Sequence, residues 1–290
     1  MINYLLLLVA VFLLAVDSIF RKKYQEAAGS SMKAGLMFNI LVGFTAALFF
    51  WIFNGFKWES TPFSQLMGIA QALMGVAYAI IGFKVMKEGG VALYALFLTT
   101  GSMVVPYVWG LLFLGESFSW LRMAGLLIII VAVFITKVSD FKANPKQMLL
   151  CVAVFFFNGL VGVISKVHQV EVNYPVVSAA AFTVLVNFWK MALSGAAYGA
   201  MFKKLREQPK LPPLRKTYPY VVGCTMTGGI YYILQLLVAG KVSASVMFPM
   251  MTGGNIIFSA LLGKAILHEN LSKRAIIGII LCFVGTCMFL

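Results

Sequence analysis

Charge is what this sequence has least of. Only 11% of its 290 residues are Asp, Glu, Lys or Arg, against about 25% in a soluble domain. That is too few polar side chains to coat a water-facing surface, so much of the surface faces lipid. The mean hydropathy of +0.94 agrees. No long polar stretch is present that could form a separate soluble domain. Acid is scarcer still, with 9 acidic residues against 23 basic ones. The two histidines, His168 and His268, form no metal or catalytic cluster. The four cysteines, Cys151, Cys224, Cys282 and Cys287, sit inside apolar runs without metal-site spacing, where a disulfide framework has nothing to staple. They read as small packing hydrophobes. There is no nucleotide-binding glycine loop, so a primary pump would need a partner. No loop is long enough to hold a catalytic domain. The expectations are therefore no enzyme, no cofactor and no metal.

What is abundant is hydrophobic sequence in long runs. A helical span needs about 20 apolar residues. Runs of that kind fall near 2–20, 34–54, 64–84, 91–113, 119–137, 148–168, 177–201, 218–239, 243–264 and 273–290. The longest break, Phe202 to Thr217, carries Pro209, Pro212 and Pro213. The first run follows Met1-Ile2-Asn3-Tyr4, which has no basic residue, and no small-x-small cleavage site follows it. It reads as a retained first span rather than a signal peptide.

The net charge of +14 is distributed by loop. With ten spans, the odd-numbered loops hold Arg21, Lys22, Lys23, Lys33, Lys84, Lys87, Lys137, Lys142, Lys146, Lys203, Lys204, Arg206, Lys210, Arg215, Lys216, Lys264, Lys273 and Arg274. The other side holds only Lys57, Arg122, Lys166 and Lys241. Clusters just outside apolar runs report topology, not a nucleic-acid-binding face. The bias puts the odd loops in the cytoplasm and both termini outside, in a multi-pass protein of a prokaryotic cytoplasmic membrane.

The chain repeats itself. Leu114-Gly115-Glu116-Ser117-Phe118-Ser119 recurs as Leu267-His268-Glu269-Asn270-Leu271-Ser272, 153 residues later. The same shift pairs Thr99 with Thr252, Gly101 with Gly254, Gly125 with Gly278, Gly75 with Gly228 and Tyr78 with Tyr231. A slightly smaller shift pairs Asn39 with Asn187. Each half, 1–140 and 147–290, has five spans. Five is odd, so the halves sit in the membrane with opposite orientation. Inverted repeats are the construction of many secondary transporters, in which exchanging the conformations of the halves gives alternating access.

These residues resemble the drug/metabolite transporter superfamily, EamA type. The resemblance rests on two five-span halves with a small-x-Glu turn between their fourth and fifth spans, each turn followed by a glycine, Gly125 or Gly278. Asn158-Gly159 through Ser165-Lys166 on the sixth span adds to it, as does, more loosely, Ala15 to Lys23 on the first. The resemblance implies an all-α bundle of ten helices around a central cavity, moving metabolites or drugs, often outward. Members of that type usually keep both termini in the cytoplasm, opposite to the charge count here.

Polar residues inside spans mark candidate sites, because a charge near mid-bilayer is costly unless it faces a cavity or a partner. Lys190, near the middle of the seventh span, shares a helix face with Thr183, Asn187 and Ser194. Its ammonium suits an anionic or carboxylate-bearing solute; the competing role is a buried lysine paired with a carbonyl or with Asp17. Gln71, Gly75 and Tyr78 form a similar stripe on the third span, and Thr227, Tyr231 and Gln235 on the eighth. Tyr78 and Tyr231 are expected opposite each other across a pseudo-two-fold axis. Asn39, Asn255 and Trp189 complete the candidate lining. Asp17, four residues before Arg21, suits a local ion pair or a proton-coupling role. Pro106 and Pro249 bend their spans or gate them. His168 reads as an interfacial side chain, and Gly195-Ala196-Ala197-Tyr198-Gly199 as a close helix contact within the bundle or between protomers.

The function that fits is a secondary transporter, with export suggested by the resemblance, of a small organic metabolite such as an amino acid or organic anion. Its partners are the solute and the lipid bilayer, and it acts as a monomer or homodimer. The competing readings are a multidrug or amphipathic-compound exporter, a membrane enzyme, and a channel or accessory subunit.

Overall fold

A computed structural model of the chain describes residues 2–89, 91–137, 145–268 and 271–290. Its helices are α1 (Ile2–Ala28), α2 (Met32–Phe53), α3 (Pro62–Gly89), α4 (Val91–Phe113), α5 (Trp120–Lys137), α6 (Pro145–Val170), α7 (Ala179–Ala200), the single turn and a half of α8 (Phe202–Arg206), α9 (Leu214–Ala239), α10 (Ala244–Leu267) and α11 (Lys273–Cys287). No strand occurs among the described residues. Eight of these helices are long and apolar enough to cross a membrane; α5 and α11 are shorter and complete two sets of five. Lipid offers no partner to a backbone N–H or C=O, so an apolar chain satisfies them within helices. Serine side chains start the corresponding helices α2 and α7: Ser31 accepts from the Ala34 N–H and Ser178 from the Ala181 N–H.

The first helix runs further than its apolar stretch. Nothing between Ser18 and Ala28 breaks a helix, so Arg21, Lys22 and Lys23, read from the sequence as a loop, are helical. The break between the seventh and eighth spans likewise contains α8.

The repeat governs the packing. Helices α1 to α5 correspond in order to α6, α7, α9, α10 and α11. α1 packs on α9 and α10, and α6 packs on their counterparts α3 and α4; α2, α4 and α5 each pack on their own counterpart. One crossing shows the symmetry at residue level. A Cβ added at Gly125 would lie 2.8 Å from the Gly285 carbonyl oxygen, and one at Gly278 would lie 3.3 Å from that of Ala132. The 153-residue shift carries Gly125 onto Gly278 and Ala132 onto Gly285, so the α5–α11 contact is made twice, as a two-fold interface requires. Likewise Gly101 lets α4 meet the α6 backbone at Phe155, and Gly254 lets α10 meet Val11 of α1.

Large apolar side chains such as Phe12, Phe44, Leu127, Phe156 and Phe283 stay exposed on the outside, where lipid would lie. The main buried cluster joins α1, α4, α5, α10 and α11 through Leu7, Val11, Met103, Tyr107, Ile129, Met247 and Cys282. Cys151 and Cys224 are also buried, whereas Cys287 is exposed at the end of α11.

The fourth helix of each half ends in the same backbone conformation. Gly115 after α4 and His268 after α10 both have left-handed φ, +64° and +53°. They are repeat partners. A left-handed residue closes a helix C-terminus, and histidine is among the non-glycine residues enriched there. Glu116, next to Gly115, turns across to the other half. Its carboxylate accepts the N–H groups of Ala244, on Oε1, and Ser245, on Oε2 at 2.8 Å, and so caps α10. Glu269, its repeat partner, lies outside the described residues.

Candidate functional site

The bundle has two unlike ends. The last turns of α1, α3, α5, α7 and α10 and the first turns of α2, α4, α6, α9 and α11 share one end, on which most of the basic residues fall. Side-chain ties close the opposite end. Ser64 Oγ lies 2.9 Å from His168 Nε2 and accepts the Val177 N–H at 3.1 Å, joining α3, α6 and the start of α7. His168, expected at an interface, is instead fully buried, its ring stacked 3.7 Å from Phe182 and its Nδ1 met by Gln169. Both ring nitrogens have partners, so its burial leaves no polar group unsatisfied. The Lys166 ammonium donates to the carbonyls of Ala239 and Val242 (2.7 Å to the latter), while Glu116 caps α10 just beyond. Lys166 and Glu116 thus hold the α9–α10 turn from both sides, within electrostatic reach of each other.

Toward the middle, charged groups from α1 and α7 converge with aromatic groups from other helices. Arg21 donates from Nη2 to Asp17 Oδ2 at 3.0 Å, the local pair its spacing suggests. Asp17 is buried, and its Oδ1 would lie 2.9 Å from a Cβ at Gly228, so the missing side chain there makes room for the carboxylate. The Arg21 side chain keeps 45% of its surface open. Its guanidinium carbon lies 5.1 Å from the centroid of Phe38 on α2, a cation–π distance. Lys190 of α7 lies within electrostatic reach of Asp17, Arg21 and Cys224. Tyr78 and Tyr94 interact with Arg21, and Tyr231 interacts with Asp17, Arg21 and Tyr78. Helices α1, α2, α3, α4, α7 and α9 therefore all contribute to one place. A guanidinium surrounded by six helices and still this exposed borders an internal hollow. No described atom lies within 4 Å of where a Cβ at Gly75 would be, next to Tyr78 on α3.

The sequence-derived residues fall into groups. Lys190, Tyr78 and Tyr231 all lie within electrostatic reach of Asp17 and Arg21, and Tyr231 within that of Tyr78. Gln71 belongs to a neutral network beside them, donating from Nε2 to the Tyr232 hydroxyl at 2.7 Å, with Ser165 3.2 Å from that hydroxyl. Thr183 is fully buried and donates to the Ala179 carbonyl of its own helix; Asn187 likewise donates to the Thr183 carbonyl, at 2.8 Å. Trp189 donates to Gln65 Oε1 at 2.7 Å. Gln235 is buried on α9, Asn39 lies half-buried on α2, and Asn255 on α10 has a buried Oδ1 with no partner. Among the described residues nothing lies within 4 Å of a Cβ at Gly195 or Gly199, so that glycine pair packs against no other helix of the bundle. Two cavities away from these charges, of about 280 and 410 Å³, are lined mainly by apolar side chains: one by Tyr24, Met37, Leu41 and Pro212, the other by Pro62, Phe63, Leu66 and Tyr174. Among the described residues no cluster of His, Cys, Asp and Glu could hold a metal ion.

The model of the EamA-like transporter family matches residues 145–290, the second half of the chain. The chain belongs to that family. It is an integral multi-pass membrane protein of a family that moves small solutes. A solved crystal structure aligns over 99% of this chain and 95% of its own length, with a TM-score of 0.77 at 15% identity, and so shares the fold. No curated protein matches the sequence.

Within the EamA fold, sequence reasoning missed Arg21, Phe38 and Tyr94. Arg21 looked like a boundary charge at the end of an apolar run. The signal that places it was the absence of glycine or proline between it and Gly29, together with Asp17 one turn before.

Proposed function

We propose that this EamA-family protein is a secondary active transporter that exports a small organic metabolite, such as an amino acid or organic anion, by alternating access between its inverted halves, 1–140 and 147–290. One observation carries the reading. Arg21 and Lys190 gather in a mid-bundle hollow, while side-chain ties through Ser64, Lys166 and Glu116 close the end opposite the basic loops. Charged groups in a membrane interior mark a solute pathway, and a closed end on one side of such a site describes one half of an access cycle. The positive-inside rule makes the basic end cytoplasmic and places both termini outside, so the hollow faces the solute that an exporter would take up.

The test is flux in proteoliposomes, wild type against Lys190→Ala. Saturable flux with counterflow, lost in a variant that still folds, is the expected result. Flux that rises linearly with concentration indicates a channel, and Lys190→Ala matching wild type removes Lys190 from the site. The aromatic wall of Phe38, Tyr78, Tyr94 and Tyr231 favours a second reading, export of amphipathic aromatic compounds, which the same assay with organic cations would reveal.

A further inference from the structure

The hollow has spare positive charge and no spare negative charge. Among the described residues, no hydrogen bond or ion pair engages the Lys190 ammonium. Arg21 has five N–H donors, of which one reaches Asp17. Among the described residues, Asp17 is the only acidic residue in the middle of a span. Glu116 caps α10 at the closed end, and Glu26, Glu59, Glu171 and Glu207 lie in helix ends and connections. Asp17 is itself committed: it is buried, with Oδ2 on Arg21 and Oδ1 against Gly228. Among the described residues, a solute ammonium would find there no carboxylate beyond the one already paired with Arg21. A solute oxyanion would find the free face of the guanidinium and an unpaired ammonium, with the tyrosine hydroxyls of Tyr78 and Tyr231 close by. Summed over Arg21, Lys190 and Asp17, the site carries one net positive charge.

Building on the transporter reading, we infer that the solute is an organic monoanion with an oxyanion head, such as a monocarboxylate, and that zwitterionic amino acids and cationic amines are rejected. A monoanion neutralises the site. A zwitterion brings an ammonium towards two cations, where like charges in a low-dielectric space repel strongly. A cation adds a third positive charge.

Four solutes sharing one carbon skeleton isolate the charge: phenylpropanoate, phenylalanine, phenylpropylamine and the neutral phenylpropanamide. Straight-chain monocarboxylates of different lengths, and phenylethylphosphonate at a pH where it is singly charged, extend the set to other skeletons and to a second oxyanion. Binding to purified protein is measured by calorimetry, and flux separately in proteoliposomes. The expected result is that at least one monoanion binds about tenfold or more tightly than its zwitterionic, cationic and neutral counterparts. Lys190→Gln removes that preference and Lys190→Arg retains it. If phenylalanine or phenylpropylamine binds as well as the anion, if Lys190→Gln keeps the anion preference, or if no monoanion binds, the inference is overturned. Selective anion binding without flux overturns the transporter reading and leaves the charge assignment standing. Saturable flux of an amine does the reverse.

Discussion

Glu116 gives the most direct test of how the two halves hold together. The first N–H groups of a helix have no partner within it, and Ser243, the residue before α10, makes no capping bond with its side chain. Glu116 supplies the cap from the other half of the chain, accepting from both Ala244 and Ser245, which are 1% exposed. Glu116→Ala leaves two buried donors unsatisfied at about 1–3 kcal/mol each. It also removes a negative charge from the positive end of the helix dipole, worth about 0.3–1 kcal/mol. Glu116 itself is half-buried, so water from the closed end recovers part of this. A net loss of about 3 kcal/mol is the expectation. Glu116→Gln keeps one acceptor oxygen but turns its amide N–H groups towards a donor, and should lose about half as much. The protein carries its own reporters. Cys151, Cys224 and Cys282 are buried and Cys287 is exposed, so a thiol-reactive fluorophore in detergent reads unfolding above a constant background. A fall of about 5 °C or more for Glu116→Ala, and a smaller one for Glu116→Gln, is expected. An unchanged midpoint for Glu116→Ala would mean that α10 finds its cap elsewhere and that Glu116 does not join the halves.

Two contrasts test the packing and the connections. Gly101→Ala puts a Cβ against the Phe155 carbonyl of α6, backbone against backbone, and should cost about 1–3 kcal/mol as overpacking. Gly75→Ala meets no described atom and should raise helix stability by up to about 1 kcal/mol while lowering solute binding; the same thermal assay beside a binding titration separates them. Hydrogen bonds from the Asn54 side chain and the Ser178 N–H hold the Glu59 carboxyl below its ordinary 4.5. A carboxylate shifted this way stabilises the folded state above its unfolded pKa and stops doing so as pH falls through the lowered value. Acidification below about pH 4 should therefore loosen the tie between the α2–α3 connection and the start of α7, seen as faster hydrogen exchange there, and Glu59→Gln should abolish that acid step.

Much of the fold was legible because it is written in long periods. A shift of 153 residues between Leu114-Gly115-Glu116 and Leu267-His268-Glu269 foretells five helices repeated, and the paired crossings at Gly125 and Gly278 realise it. Charge was harder to place. Arg21 sits where an apolar run ends, so hydropathy reads it as a loop, yet the helix continues for another seven residues to Ala28 and carries the guanidinium into the bundle. Lys166 was assigned to a loop side by the same logic, and its partners, the carbonyls of Ala239 and Val242, lie more than 70 residues away. Glu116 was visible as a motif but not as a cap, because the helix it serves begins 128 residues later. Hydropathy and spacing report what a residue's own helix does; they are silent on which remote backbone group a charge will meet.

The repeat is symmetric in its helices and asymmetric in its polar groups, and that difference bears on transport. A shift of 144 residues along the first helix of each half brings Arg21 onto Ser165, and the 153-residue shift brings Gln71 onto Cys224. Around α6, on one side of the axis, lies the neutral set Gln71, Tyr232 and Ser165, bonded to one another at 2.7–3.3 Å. At the corresponding place around α1, on the other side of the axis, lies the set Asp17, Arg21 and Cys224, with much of the Arg21 side chain exposed. The alternating access proposed above needs two scaffolds of nearly equal energy, so that either end can close, and the shared glycine crossings fit that need. A solute is not symmetric, and a site on a pseudo-two-fold axis with equivalent groups on both sides could not tell its head from its tail. Placing the Asp17–Arg21 pair beside α1 and a self-satisfied neutral network beside α6 gives the axis a polarity while leaving the helix packing alike. Arg21→Ser, which copies the residue at the equivalent position of the second half, should then leave the bundle folded and abolish anion selectivity. If Arg21→Ser still prefers an anion as strongly as the wild type, the selectivity does not come from this asymmetry.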